Sequence, residues 1–175
     1  LNVDRYRGLI VLGGPMNVED HPRRPHLANE MRAIERMLEQ GKPVLGICLG
    51  MQLMTDYSAE GDVACLGLIP GQVLPLQAKG LRLPHMGWNT LCKTVDHPLL
   101  HGLSAEDYVY FVHSFAVQPS PYMLASCDYG SPFAAVIGRR NFLGMQFHPE
   151  RSGKVGARLL LNFLQLDALS LRAAD

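Results

Sequence analysis

The stretch Val44 to Met54, VLGICLGMQLM, constrains the fold more than any other part of this chain. An apolar run typical of a buried strand leads into Gly46, Cys48 and Gly50 at alternate positions, and helix-forming residues follow. In a nucleophile elbow the reactive side chain lies on a sharp strand-to-helix turn, and the residues two before and two after it must be small. The pattern predicts such an elbow, or else a glycine-rich turn with a packed, inert cysteine.

The predicted turn also determines the chemistry expected of Cys48. A cysteine at a helix N-terminus lies next to free backbone N–H groups and the positive end of the helix dipole, which stabilise a thiolate. We therefore expect a stabilised thiolate at Cys48. The backbone N–H of Leu49 is then placed to donate to an oxyanion.

A thiolate nucleophile needs a base, and the segment QFHPE supplies a candidate in His148. Glu150 is two residues further on, so on an extended segment the two side chains point to the same side. The carboxylate can then orient the imidazole, as the third member of a catalytic triad does. The alternative is a surface loop that happens to contain a histidine and a glutamate.

A second loop, Gly13-Gly14-Pro15, follows the first apolar strand. Glycine allows backbone N–H groups to face a developing negative charge, and Pro15 has no N–H to offer. Gly14 is therefore the expected oxyanion donor, paired with Leu49. A Gly-Gly-Pro turn with no role in chemistry is the alternative.

Composition excludes several classes of function. Apolar residues make up 47% of the 175 residues and charged residues 18%, and the formal net charge is zero, so nothing predicts binding to nucleic acid or to a membrane surface. No apolar run approaches the ~20 residues that span a bilayer, and the segment LNVDRYRG lacks the layout of a signal peptide. The 4 cysteines are widely spaced, which favours free thiols, no metal site and a reducing, cytoplasmic setting.

The order of predicted elements indicates the fold. Gly8–Leu12 and Pro43–Ile47 are typical of buried strands, and the helix predicted between them has apolar residues at helical spacing: Leu27, Met31, Ile34 and Leu38. Short strands of mixed direction follow, then a hairpin that turns near Arg139–Asn141 and a closing helix over Val155–Leu166. We predict a single α/β domain over residues 1–175. Its mostly parallel central sheet has helices on both faces, with a smaller antiparallel region.

The two motifs together, GICLGMQLM and the distant QFHPERS, resemble those of class I (triad) glutamine amidotransferases. The resemblance covers about Gly8 to Leu166. It implies that the chain hydrolyses glutamine to glutamate and passes the ammonia to a synthase. By position, Cys48 is the nucleophile, His148 the general base and acid, and Glu150 the residue that orients His148.

Further segments are similar to the glutaminase subunits of imidazole glycerol phosphate synthases, which act in histidine biosynthesis. These segments are GLGLIPGQV, LPHMGWN, YVYFVHSF and CDYG. The resemblance implies a (βα)8-barrel synthase subunit as partner in a heterodimer, and no cofactor. It also implies that Gln52, Ser114 and Phe115 contact glutamine and that four residues lie near the partner interface and ammonia exit: Met86, Trp88, Tyr110 and Arg151. For Met86, Trp88 and Tyr110, a place in the core is the alternative.

The chain departs from this subfamily in four places. Its oxyanion loop has Gly13-Gly14-Pro15-Met16 where Pro-Gly-Val-Gly is usual, which resembles guanosine monophosphate synthetase and leaves a glutaminase for another synthase as an alternative. Pro15 cannot present an N–H, so a preformed Gly14 donor is the simpler expectation. Arg151 replaces a usual lysine and Phe115 a usual tyrosine. About one β-α unit, on the order of 30 residues, is expected ahead of Leu1. A non-catalytic partner-binding subunit is the alternative from a different class.

Overall fold

The computed structural model describes residues 3–12 and 25–166. Three helices occur in these ranges: α1 (Pro25–Glu39), α2 (Leu49–Leu53) and α3 (Gly153–Gln165). Single 3₁₀ turns lie at Pro98–Leu100 and Pro149–Arg151. The strands are β1 (Leu9–Leu12), β2 (Val44–Ile47), β3 (Tyr57–Ser58), β4 (Val63–Ala64), β5 (Gln72–Pro75), β6 (His85–Thr90), β7 (Cys92–Lys93), β8 (Tyr108–His113), β9 (Phe115–Val117), β10 (Met123–Asp128), β11 (Pro132–Arg139) and β12 (Phe142–Met145).

The main sheet combines a parallel part with an antiparallel part. Its order is β1-β2-β12-β11-β9-β5-β3-β4, with β10 paired to β11 and β7 paired to β10. Strands β1, β2 and β12 are parallel, and β12, β11, β9 and β5 alternate in direction. Strands β6 and β8 form a separate antiparallel ribbon. The parallel trio therefore brings three carboxyl ends to one edge of the sheet, where α/β folds place ligands.

Two apolar cores lie on opposite faces of this sheet. Alternate residues of a strand point to opposite faces, so Val44 packs with α1 residues such as Ile34 and Met37. Leu45, its neighbour in β2, packs instead with α3 residues such as Leu159 and Phe163. The helices therefore cover both faces, and β2, which is buried along its whole length, is the middle strand of the parallel trio.

The predicted α/β fold with helices on both faces is confirmed. The sheet is mixed rather than mostly parallel, because six of the nine strand pairs described in it are antiparallel. The hairpin of β11 and β12 turns through Arg140, which adopts φ 55°. Helix α2 is short and comprises only Leu49–Leu53. Among the described residues, no helix combines the length and apolar character needed to cross a membrane.

Candidate active site

Cys48 occupies the strained turn that the sequence predicts. Its backbone adopts φ 53° and ψ −113° between β2 and α2, a region that L-residues rarely occupy and that is typical of functional sites. A Cβ on Gly46 would lie 2.5 Å from the Gly50 carbonyl oxygen and 2.7 Å from the Met51 nitrogen. Only glycine at position 46 therefore lets α2 turn back closely over β2.

A second glycine, which the sequence analysis did not single out, supports the same turn. Gly144 in β12 is the register partner of Gly46 in β2. A Cβ on Gly144 would lie 2.5 Å from Cγ of Met51 in α2. The two adjacent glycines form a flat surface on which the first turn of α2 rests. Strand register, which a single-sequence pattern does not give, is what reveals Gly144.

The expectation of a stabilised thiolate at Cys48 is wrong for the chain as it stands. Burial raises the pKa of this thiol, and the carboxylates of Glu60 and Glu150 raise it further, while the backbone N–H of Leu49 and the amide of Gln146 act in the opposite direction. Desolvation disfavours the charged sulfur.

The register between β12 and β2 brings the segment that carries His148 to the edge of the sheet that carries Cys48. Met145 pairs with Ile47 in parallel, and the Cys48 N–H donates to the Met145 carbonyl oxygen at 2.7 Å. The segments that follow β2 and β12 then leave the sheet at the same edge. Nδ1 of His148 lies 2.7 Å from Oε1 of Glu150. An ionised carboxylate only accepts, so Nδ1 carries the proton and Nε2 is left for another partner.

The backbone between His148 and Glu150 does not follow the extended path that the sequence predicts. The segment is extended at His148, with φ −98° and ψ 96°, but Pro149–Arg151 forms a 3₁₀ turn rather than a continued strand. The proline at the start of the turn has the fixed φ that such a turn requires. The carboxylate therefore reaches the imidazole by a turn of the chain and not by strand alternation.

Gln52 is buried behind the cysteine, with a side chain that is only 3% exposed. Its Nε2 donates to Oε1 of Gln146 at 2.9 Å and to the Phe115 carbonyl oxygen at 3.0 Å. Nε2 of Gln146 in turn lies 3.8 Å from Sγ of Cys48. The Gln52 Oε1 atom is buried and has no hydrogen-bond partner within the described ranges. It is an acceptor available to a bound molecule.

The two residues that the resemblance places at the glutamine pocket are half-buried at the junction of β8 and β9. The Ser114 carbonyl accepts from the Leu76 N–H at 2.9 Å. The Phe115 carbonyl accepts from Gln52 and lies 2.8 Å from Nδ1 of His113. Both carbonyls are therefore used within the chain.

Glu60 was missed by the sequence reasoning. It is an exposed residue after β3, and its carboxylate is close enough to Cys48 to raise the pKa of the thiol. Its N–H donates to Oγ of Ser58 at 3.2 Å, which fixes the local backbone. An isolated glutamate in a polar loop carries no sequence signal, because its relation to Cys48 is created by the chain path.

Two buried histidines form a pair beneath the site. Nδ1 of His85 lies 3.1 Å from Nε2 of His113, and the His85 ring stacks on Tyr129 with centroids 4.0 Å apart. Burial lowers the pKa of each to about 4, so both rings are neutral near pH 7. Within residues 3–12 and 25–166, no three histidine, cysteine, aspartate or glutamate side chains are grouped so as to hold a metal ion.

The predicted interface residues lie on and beside the β6–β8 ribbon. Met86 and Trp88 are 62% and 55% exposed, which contradicts the alternative of a place in the core. Tyr110 is half-buried, and its ring lies edge-on to Trp88 with centroids 5.8 Å apart. The guanidinium of Arg151 lies over the same Tyr110 ring at 4.7 Å. These four residues form one aromatic and cationic surface patch, which we call the ribbon patch.

The oxyanion donors are described only in part. The Leu49 N–H lies close enough to the Cys48 sulfur to lower the pKa of the thiol. Strand β1 ends at Leu12, opposite Ile47, so its carboxyl end is at the edge of the sheet that carries Cys48. Gly14 and its neighbours follow, and they lie outside the described residues.

The comparison with family models agrees with this geometry. Residues 2–166 match the family described as glutamine amidotransferase class-I. The chain belongs to the class-I glutamine amidotransferases. The family match covers both motifs that carry the Cys48 turn and the His148–Glu150 pair.

Several curated relatives of this amidotransferase are named imidazole glycerol phosphate synthase subunit HisH. The protein from Colwellia psychrerythraea is 53% identical over 145 residues, which cover 74% of this chain and 64% of the relative. The protein from Idiomarina loihiensis is 56% identical over 133 residues, with 76% and 67% covered. That from Mannheimia succiniciproducens is 50% identical over 139 residues, with 79% and 72% covered. The chain thus spans about two thirds of the length of these relatives.

Solved structures share the fold at lower sequence identity. A glutamine amidotransferase from Thermotoga maritima superposes with a TM-score of 0.64 at 21% identity, covering 100% of this chain and 73% of the other. PurLQS from the same organism gives 0.65 at 21% identity, with 92% and 80% covered. These similarities concern the fold, which is that of the class-I amidotransferases.

Proposed function

We propose that this chain is the glutaminase subunit of an imidazole glycerol phosphate synthase, acting in histidine biosynthesis. One observation carries the chemical part of the proposal. Cys48 lies on a strained turn after β2, and β12, which pairs with β2, leads to the His148–Glu150 pair at the same edge of the sheet. Relatives at 50% to 56% identity with that name support the choice of synthase. The four free thiols fit a reducing, cytoplasmic compartment.

In the proposed mechanism Cys48 attacks the carboxamide carbon of glutamine. Because burial keeps the sulfur as a thiol in the free chain, Nε2 of His148 must take its proton as the attack begins. Glu150 holds the imidazole in the tautomer that leaves Nε2 free. The oxyanion is stabilised by the N–H of Leu49 and, as the sequence predicts, by that of Gly14.

The same imidazole completes the cycle. His148 returns its proton to the leaving nitrogen, and ammonia departs from a γ-glutamyl thioester on Cys48. His148 then removes a proton from water, which attacks the thioester and releases glutamate. Each proton that leaves a nucleophile is thus given to the next leaving group, and no metal or organic cofactor is needed.

The substrate is held by groups that complement a free amino acid. The carboxylate of Glu60, which acts on Cys48 through space, is suited to the α-ammonium of glutamine. The Oε1 of Gln52, which has no hydrogen-bond partner in the described part of the chain, offers a buried acceptor to an N–H of the substrate. Ser114 and Phe115 then contribute backbone N–H groups, since their carbonyls are already bonded within the chain.

The ribbon patch is proposed to face a (βα)8-barrel synthase subunit in a heterodimer. Free ammonia is protonated in bulk water at neutral pH, so a sealed contact between the two sites has a chemical purpose. Trp88 and Met86 are large, exposed apolar side chains of the kind found at the centres of interfaces. Arg151, which belongs both to the patch and to the turn that carries Glu150, lies over the Tyr110 ring and so links the patch to the site.

The catalytic assignment is tested by replacing the cysteine. Cys48→Ala is expected to reduce glutamine hydrolysis to background while the circular dichroism spectrum stays native. Cys92→Ala, at an exposed cysteine, is the matched control and is expected to keep full activity. An electrophilic glutamine analogue should label the native chain once, at Cys48. Substantial hydrolysis by Cys48→Ala would overturn the assignment.

The choice of synthase is tested by adding the barrel subunit and its ribonucleotide substrate. A large rise in glutamine hydrolysis, and a complex of one copy of each chain by light scattering, are the expected results. Trp88→Ala is expected to weaken that complex by on the order of tenfold or more. Hydrolysis that the barrel subunit leaves unchanged would favour a glutaminase that serves another synthase.

A further inference from the structure

Ser152 is a buried polar residue that the proposed mechanism does not use. It follows the 3₁₀ turn Pro149–Arg151 and precedes α3, and it is only 2% exposed. Its Oγ donates to the carbonyl oxygen of His148 at 2.7 Å and accepts from the N–H of Tyr110 at 3.0 Å. With both its donor and an acceptor position occupied, the hydroxyl is fixed in one orientation.

These bonds complete a double connection between two backbone segments. The N–H of His148 donates directly to the carbonyl of Tyr110 at 2.9 Å. The main chain of His148 is therefore joined to β8 twice, once directly and once through the Ser152 hydroxyl. Tyr110 pairs with Trp88 in the ribbon, and its own N–H and C=O point the other way, towards the His148 turn.

His148 needs such a connection because its other partner is poorly anchored. The Glu150 side chain that bonds its Nδ1 is 52% exposed, and that of His148 itself is 24% exposed. Water competes for an exposed carboxylate, so this contact by itself contributes little to holding the imidazole in place. The buried hydroxyl of Ser152 reinforces the direct bond from the His148 N–H and so ties this turn to β8 through a group that water does not reach.

We propose that Ser152 is a positioning residue for glutamine hydrolysis. It holds the backbone of His148 against β8, so that the imidazole meets Cys48 at the distance that proton transfer requires. This inference rests on the proposed function of the site. Ser152 touches no reacting atom, so its loss should slow proton transfer and leave substrate binding nearly intact.

Steady-state kinetics of Ser152→Ala test the proposal in the native full chain with its barrel partner. We expect kcat for glutamine hydrolysis to fall about 10- to 100-fold, with KM within about threefold of native. S152T keeps the hydroxyl and should recover most of kcat, whereas S152C, which is close in size but bonds weakly, should not. Ser120→Ala is the matched control, because that hydroxyl also accepts a backbone N–H, at 3.3 Å, but in the loop before β10.

A second measurement separates this inference from the proposed function. The imidazole signals of His148 in a ¹H–¹⁵N spectrum, assigned with His148→Gln, should shift or broaden in Ser152→Ala and remain in place in Ser120→Ala. If the native chain shows no glutaminase activity but these signals move, positioning by Ser152 stands and the function fails. Unchanged His148 signals, or a native kcat in both S152A and S152C, would overturn the inference. If Ser152→Ala does not fold, kcat and the His148 signals of S152C test the inference in its place.

Discussion

At the scale of single residues, the site depends on small side chains more than on the reactive ones. Cys48 lies at φ 53° in a turn that brings α2 close over β2. That approach needs Gly46 in β2 and its register partner Gly144 in β12. The sequence motif reveals Gly46, since it lies two residues from the cysteine, but it says nothing of Gly144. Pairing between strands some hundred residues apart is not encoded in local spacing.

The two glycines should differ in their tolerance of a methyl group. Gly46→Ala places Cβ against backbone atoms of α2, which cannot move alone, so we expect a loss of about 1–3 kcal/mol or more in unfolding free energy. Gly144→Ala meets side-chain atoms of Met51 and Ile137 instead of backbone, and it should cost less. Urea denaturation measures both. Gly71→Ala, whose Cβ would meet atoms no nearer than 3.4 Å, should lie within about 0.5 kcal/mol of native. The reverse ranking of Gly46 and Gly144 would contradict this account.

At the scale of elements, α3 and the His148 turn form one unit. The sequence predicts α3 from its apolar face, and Leu159 and Phe163 are buried as expected. It does not predict the 3₁₀ turn before the helix, because His-Pro-Glu is equally compatible with an extended segment. The turn is settled by tertiary contacts: Ser152 bonds to β8, and the N–H of Gly156 donates to the Ser152 carbonyl at 3.1 Å.

Gly156→Ala should disturb this unit. The added Cβ would collide with the carbonyl oxygen of Pro149, a backbone atom in the turn that carries Glu150. We expect about 1–3 kcal/mol of destabilisation and a lower kcat for glutamine hydrolysis, because the turn must shift away from α3. Thermal unfolding and steady-state kinetics measure the two effects. Lys154→Ala, at an exposed position of the same helix, is the control and should change neither. Native stability and native kcat in Gly156→Ala would refute the coupling.

At the scale of the whole molecule, the sequence predicts the fold through its apolar strands. The runs at β2 and β12 are apolar throughout, as strands covered on both faces must be, and this pattern alone places helices on either side. The buried pair of His85 and His113 could not be predicted in this way. The two residues are far apart in sequence and meet only because β6 and β8 pair in a register that sets them opposite each other.

That pair makes the stability of the molecule depend on pH. His85 and His113 have pKa values lowered to about 4 by burial, against 6.5 for free histidine, and each ring also lies among aromatic residues: Phe111, Phe133 and, for His85, Tyr129. Between these values the unfolded chain binds protons that the folded chain does not. Stability is therefore fully present above about pH 6.5 and falls as the pH decreases towards 4.

The expected slope is about 1.4 kcal/mol per pH unit for each histidine that stays neutral in the folded state. Urea denaturation between pH 7.5 and 4.5, on the order of six points, measures it. His113→Gln removes one titrating ring and should reduce the slope. Part of the slope should remain, because burial also lowers the pKa of His97. A flat profile for the native chain from pH 6.5 to 4.5 would show that the buried pair accepts protons in the folded state, and hence that the ring stack opens to water.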